Sequence, residues 1–166
     1  TNIQNMSKER VNTVHLRRGK EESLLRNHPW VFSGAIERIS ENGAPLSEGD
    51  MVDVVTKQGD FIAKGHWQIG SIAVRVLSFE QEDIDQAWWN RRISEAKGVR
   101  KALGLTDNND TTCYRLVHGE GDLLPGLVID IYERTAVVQC HSVGMYRSRE
   151  AIAEALRAAY GNELEA

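Results

Sequence analysis

The stretch Tyr114-Arg115-Leu116-Val117-His118-Gly119-Glu120-Gly121-Asp122-Leu123-Leu124-Pro125-Gly126-Leu127-Val128-Ile129-Asp130 sets the reading of this chain. Two apolar strands flank an acidic, glycine-rich loop that a Leu-Pro-Gly turn closes. Gly119, Gly121 and Gly126 admit backbone angles or close approaches that a side chain forbids. Pro125-Gly126 is a strong turn signal, and an apolar run follows it directly. The loop is more elaborate than a simple hairpin needs, so packing or a site constrains it.

Working outward, strands are expected at 114–117, 127–132 and 135–142, followed by a helix at 146–160 with Ile152, Leu156 and Ala159 on its apolar side. Three strands and one helix expose an edge and leave little core, so residues 112–166 read as the incomplete start of an α+β domain. The polar segment Thr106–Thr112 is the best boundary in the chain. Before it, residues 81–105 take a helical period, capped by Asp83 or Asp85 and ended by Gly104. Ile84, Trp88, Trp89, Ile93, Ala96, Val99 and Leu103 fall near one face, with Arg91, Arg92, Lys97, Arg100 and Lys101 mostly on the other.

The first half reads as all-β. Short strands are expected at 13–16, 30–39, 51–55, 61–67 and 71–79, with one helical turn at 21–26. Turns every 8–12 residues point to a small closed barrel over residues 12–80.

Length allows one large domain or two small ones. No apolar run approaches the roughly 20 residues of a membrane span. Residues 1–10 are polar and lack a signal-peptide core. Cys113 and Cys140 lie outside any metal-ligand or CxxC spacing, and a cytosolic protein with reduced thiols is the simplest reading. The net charge of −4 argues against a generally basic nucleic-acid binder. Residues 1–38, however, carry seven Lys and Arg against four Glu, so attraction for phosphate concentrates near the N-terminus.

Within that part, Arg17, Arg18, Lys20, Arg26, His28 and Trp30 form the candidate RNA-binding set. Arg and Lys contact phosphates, while aromatic and His rings offer bases a stacking platform. Gly19, Pro29 and Gly34 would place them on irregular backbone beside a barrel. Composition alone leaves the alternative open, with Trp30 and Phe32 in the core and the basic residues as a solvated face. Arg91, Arg92, Lys97, Arg100 and Lys101 could extend the RNA surface, although a solvated face suits them better.

The Gly119-Glu120-Gly121-Asp122 loop lacks both GxGxxG spacing and a GK[ST] ending, and its carboxylates repel phosphate. Two carboxylates on one loop make a weak metal site, and a turn held by Asp and Glu bonds to backbone is the simpler reading. The five histidines form no ligand pattern, and Cys140-His141 would point to opposite faces of a strand. Trp88-Trp89 reads as packing. No catalytic constellation and no metal site are read from the residues themselves.

The segment Leu16-Arg17-Arg18-Gly19-Lys20-Glu21-Glu22-Ser23-Leu24-Leu25-Arg26-Asn27-His28-Pro29-Trp30-Val31-Phe32-Ser33-Gly34-Ala35 resembles the opening of a known family. Gly49-Asp50 with Val52 and Val54, Gly59, Ala63-Lys64-Gly65, Tyr114-Arg115-Leu116, Gly119-Glu120-Gly121-Asp122 and Leu124-Pro125-Gly126 follow in the same order. The family is that of bacterial class I SAM-dependent 23S rRNA (cytosine-C5) methyltransferases with an N-terminal PUA domain.

The resemblance implies a PUA RNA-binding barrel over 12–80, a linking helix over 81–105 and the start of a β-β-α-β-β middle domain over 112–166. It also implies a later Rossmann-like domain holding the SAM loop and a cysteine that adds to cytosine C6. Neither is in this sequence, and Cys113 and Cys140 do not match the catalytic position. The parent would then be a cytoplasmic SAM-dependent enzyme acting on structured RNA, 23S rRNA by resemblance. This chain would position the RNA, with no SAM binding of its own. Arg115, Gly119, Glu120, Asp122, Pro125 and Gly126 would form a domain-interface loop, with Glu120 and Asp122 facing the catalytic domain. The alternatives are a stand-alone, non-enzymatic RNA-binding regulator and a protein-interaction module whose exposed edge recruits a partner or forms a homo-oligomer.

Overall fold

The computed structural model describes residues 11–165; the polar segment 1–10, read above as lacking a signal-peptide core, lies outside the described residues. The first half forms β1 (Asn12–Leu16), α1 (Glu22–Leu25), β2 (Trp30–Phe32), β3 (Ile36–Ser40), β4 (Met51–Val55), β5 (Phe61–Trp67) and β6 (Ile72–Ser78). These strands build one curled sheet in the order β2-β6-β5-β4-β1-β3, with β1–β4 its parallel pair. Alternating residues fill the concave side: Val14 and Leu16 from β1, Val52 and Val54 from β4, Val74 and Val76 from β6. Leu24 of α1 and Val31 of β2 close this core.

Two expectations need correction here. The single strand at 30–39 is broken by a 3₁₀ turn at Ser33–Ala35, and its halves lie at opposite edges of the sheet. The ladder is accordingly not a closed barrel. Instead the turn bridges the gap: Ser33 N–H donates to the Ser71 carbonyl at 2.9 Å, and the Ala35 carbonyl accepts from Arg17 N–H at 2.8 Å. Sequence alternation across 30–39 cannot reveal such a break, because both halves are genuinely extended.

The helix α2 (Gln86–Ala102) starts where Asp85 Oδ1 accepts from Trp88 N–H at 2.9 Å, so the cap is Asp85 rather than Asp83. It ends with Gly104 at φ +72°, whose N–H bonds the Lys101 carbonyl while Leu105 N–H bonds that of Arg100. This pair of bonds is a Schellman closure, which a glycine accepts without strain. The expected apolar face is only half right. Trp88, Trp89, Ile93 and Ala96 are buried, but Val99 and Leu103 are exposed. At 100° per residue the inner stripe continues through Lys97 and Arg100, which the sequence reading had placed outside.

The second sheet comprises β7 (Cys113–His118), β8 (Leu127–Tyr132) and β9 (Thr135–Cys140), all antiparallel in that order. The expected helix at 146–160 is two helices, α3 (Val143–Arg147) and α4 (Arg149–Tyr160), joined at Ser148. Ser142 caps α3 by accepting from Met145 N–H. The expectation of little core also fails. Leu116, Val117, Leu124, Leu127, Ile129 and Ile131 meet Met145, Ile152, Ala155, Leu156 and Tyr160, and α2 completes the cluster with its tryptophans, Ile93 and Ala96. The helix at 86–102 therefore belongs to this core and does more than link. Leu77 of β6 joins the same cluster, so one strand serves both cores. No helix among the described residues is long and apolar enough to cross a membrane.

Candidate nucleic-acid interface

The α1–β2 corner follows from period-two geometry. Val31 points into the core with 2% of its surface exposed, so Trp30 and Phe32 must point outward together. Phe32 is 48% exposed and Trp30 half-buried, which sets aside the reading of these rings as core. They stand on a three-residue edge strand whose register against β6 shifts between Val31 and Phe32, with Pro29 before it and the 3₁₀ turn directly after. His28 is exposed beside them. Its ring lies edge-on to Trp30 at 5.8 Å and tilted to Phe32 at 6.1 Å, while Trp30 and Phe32 meet edge-on at 6.2 Å. A cleft of about 320 Å³ between Lys20, Leu24, Trp30, Phe32 and Gly34 opens along this corner.

Lys20 lines this cleft, and Arg17, Arg18 and Arg26 are exposed on the adjoining segment of chain. Gly19, at φ +78°, turns the chain between them. Arg17 Nε donates to the Ile36 carbonyl and Arg26 Nε to the Glu22 carbonyl, and none of the four is paired with a carboxylate among the described residues. The basic residues of the second half are different. Arg91 pairs with Glu82, Arg92 with Glu95, Lys97 with Glu163, Arg100 with Asp122, Arg115 with Asp130 and Arg147 with Asp50. Free positive charge is therefore concentrated on the first sheet, on a molecule of net negative charge. Extension of the surface along α2 is not what the structure shows for Arg92, Lys97 and Arg100: each is turned inward, Arg92 onto the Asp122 and Leu123 carbonyls and Lys97 over the Tyr160 ring.

The Gly119–Asp122 loop is a 3₁₀ turn closed by Leu123 in the left-handed region at φ +57°. Gly126, at φ +82°, lies against Ser142, where any Cβ would come within 2.9 Å of Oγ. Asp122 accepts from His118 N–H, as the backbone-held turn reading requires, but also takes both prongs of Arg100. Glu120 makes no such backbone bond; its Oε1 accepts the indole N–H of Trp30 at 3.0 Å. The loop thus faces α2 and the first sheet. Arg115 instead forks onto Asp130 across the β7–β8 pair and lies 3.3 Å from His118 Nδ1. That bond holds the Asp130 carboxyl below the ordinary range. Leu124 and Pro125 are buried. Both carboxylates of the loop are thus engaged within the chain, and the loop returns into β8 rather than into a helix.

A second seam lies at His66 on β5. The ring packs on Gly144 of α3, its Nε2 stands 3.5 Å from Ser148 Oγ, and Arg147 pairs with Asp50 at 2.7 Å beside it. Burial, with Arg75 adding, pushes the imidazole down to about 4. Cys113 is exposed and Cys140 half-buried, both free, with β8 between their strands. Burial raises the Cys140 thiol. Among the described residues no group of His, Cys, Asp or Glu is arranged to hold a metal ion.

Sequence reasoning missed Phe32 as a site residue, although Trp-Val-Phe on a strand with an apolar centre was the signal for it. It also missed the Trp30–Glu120 bond, for which no local signal exists.

Residues 14–79 match the family described as a PUA-like domain. The chain is 42% identical over 147 residues to ribosomal RNA large subunit methyltransferase I of Erwinia tasmaniensis, covering 87% of this chain and 36% of that protein. The protein of the same description from Salmonella arizonae is 41% identical over the same length, with 35% of it covered. The chain thus spans about a third of the length of these curated relatives. Among solved structures, a chain assigned as a SAM-dependent methyltransferase from Streptococcus mutans superposes with a TM-score of 0.75 at 19% identity, over 91% of this chain and 38% of that one. Another methyltransferase, solved with SAH, superposes at 0.76 and 18% identity over the same shares. These two likenesses concern the fold.

Proposed function

We propose that this chain is the RNA-positioning part of a SAM-dependent ribosomal RNA methyltransferase, with residues 12–80 as the RNA-binding unit, 81–105 as the helix that joins it to the second, and 112–166 as the second. It presents structured RNA, 23S rRNA on this reading, so that a cytosine C5 is methylated by a SAM-binding domain outside this chain. The protein would work in the cytoplasm. The observation that carries the reading is that residues 17–32 expose four uncommitted cations, Arg17, Arg18, Lys20 and Arg26, together with the outward rings of His28, Trp30 and Phe32, with Lys20 lining the cleft beside Trp30 and Phe32. Cations without carboxylate partners attract phosphate, and outward rings stack unpaired bases. The names of the curated relatives support the RNA class and the methyl-transfer chemistry, and the solved methyltransferase with SAH supports SAM as the parent's cofactor.

The test is binding of the chain to labelled fragments of 23S rRNA over a salt series. Affinity should fall steeply with salt, and alanine at Arg17, Arg18 and Lys20 should flatten that dependence. Binding that ignores salt and all three substitutions would remove this surface from consideration.

A further inference from the structure

We propose that Glu120 is a positioning residue of the RNA face, which sets the angle of the Trp30 indole; this rests on the RNA-binding reading above. Trp30 and Glu120 are 90 residues apart, and the indole N–H donates to Glu120 Oε1 at 3.0 Å. That N–H is the only polar handle on the ring. A half-exposed tryptophan on an edge strand would otherwise sample several rotamers, and ordering it at the moment of RNA binding would cost affinity.

Glu120 is presented from a rigid platform. Gly119 before it is buried, and Leu124 after it is fully buried. Asp122 is tied to Arg100 and to His118 N–H, and Arg92 donates to the Asp122 and Leu123 carbonyls. The bond therefore ties the ring, through the exposed Glu120 side chain, to a held loop of the second unit. It holds Trp30 edge-on to both His28 and Phe32, leaving the faces of neighbouring rings at right angles around one corner.

The charge of Glu120 strengthens the argument. A carboxylate bonded to a ring of the RNA face repels phosphate, so its direct effect on RNA is unfavourable. Its benefit has to come through the group it touches, and that group is the indole.

The experiment uses the full 166-residue chain and a fluorescein-labelled RNA hairpin with a single-stranded loop, read by anisotropy across a salt series. Glu120→Ala should weaken binding about fivefold, a fraction of one base-stacking contact, without changing the salt slope. Glu120→Gln should stay within about twofold of wild type, because its amide oxygen still accepts the indole N–H. In a Trp30→Phe background, Glu120→Ala should add nothing further. In parallel, the indole N–H resonance assigned by Trp30→Phe should move upfield in Glu120→Ala and stay nearer its place in Glu120→Gln. Tighter binding by both Glu120 variants would overturn the proposal in favour of plain charge repulsion. Wild-type affinity for Glu120→Ala, with Trp30→Phe impaired, would overturn it alone. Wild-type affinity for Trp30→Phe would overturn it together with the assignment of the RNA face.

Discussion

Arg100 of α2 grips Asp122 with both prongs of its guanidinium, Nη1 to Oδ1 at 2.8 Å and Nη2 to Oδ2 at 2.6 Å. Its Nε donates to the Arg115 carbonyl at 2.9 Å, and Asp122 also accepts from His118 N–H. An ion pair therefore occupies the inner stripe of a helix where an apolar side chain would be usual. It pins the Gly119–Asp122 loop to α2, and through Glu120 that loop reaches Trp30.

Both side chains are only about a tenth exposed, so removing one leaves the other poorly solvated. Arg100→Ala should cost about 2–3 kcal/mol, at the low end for a buried pair because water reaches its rim. Asp122→Ala should cost a similar amount, and the double variant less than the sum of the two. Urea unfolding of the four proteins checks this; strict additivity would show that the pair contributes no coupling.

The stability of the fold should fall as pH drops below neutrality. His66 titrates near 6.5 when unfolded and at about 4 when buried. Between those values the unfolded chain binds the extra proton, so stability is complete above pH 6.5 and is lost progressively toward pH 4. The full effect is about 3 kcal/mol. His15 is also pushed down, mainly by burial and then by Arg38. Glu82 and Asp130, held down chiefly by hydrogen bonds from Ser78 and Arg115, lose their contribution only at lower pH. Melting temperature measured from pH 7.5 to 4.5 should therefore fall less steeply in His66→Gln than in the wild type. Identical slopes would exclude His66 as the cause.

Two glycines should respond oppositely to alanine. A Cβ on Gly144 would collide with the His66 ring, so Gly144→Ala should lose about 1–3 kcal/mol. Gly98, in the middle of α2, has open space around its Cβ position, so Gly98→Ala should gain about 0.5–1 kcal/mol. Thermal unfolding of both variants decides the matter, and destabilisation by Gly98→Ala would contradict the helix environment described.

Phe32 should contribute stacking and no charge. Phe32→Ala is expected to weaken RNA-hairpin binding by about 1 kcal/mol with the salt slope unchanged. The Arg17, Arg18 and Lys20 triple alanine variant should instead reduce the slope by about two to three, roughly 0.7–0.9 for each of the three lost phosphate contacts. A salt series on each variant separates the two effects. A slope change in Phe32→Ala would mean that the ring positions the cations rather than a base.

Much of this was readable along the chain. Most strand positions in both sheets, the start of α2 to within Asp83 or Asp85, its end at Gly104 and the turn at Pro125-Gly126 depend on neighbours within a few residues, and such signals survive in the sequence. The break at Ser33–Ala35 did not, because extended residues lie on both sides of it and only their partners, β6 and β1, differ. Nor did the halving of the last helix at Ser148.

The candidate site divides in the same way. His28, Trp30, Arg17, Arg18, Lys20 and Arg26 were legible as a basic and aromatic cluster, since residue type and spacing carry that information. Which cations were left uncommitted was not legible. Arg100 and Arg18 look alike in a sequence, yet one is locked to Asp122 and the other meets no carboxylate among the described residues.

Local chemistry by itself thus determined most of the strand positions, the Gly104 end of α2, the Pro125-Gly126 turn and the identity of the basic and aromatic residues, because backbone preference and side-chain type act over a few positions. Tertiary structure alone decided that α2 would complete the second core, that its inner stripe would hold Lys97 and Arg100, and that Glu120 would meet Trp30. Those outcomes depend on surfaces brought together from 22 to 90 residues apart, and close packing selects among arrangements that the sequence pattern leaves equally acceptable.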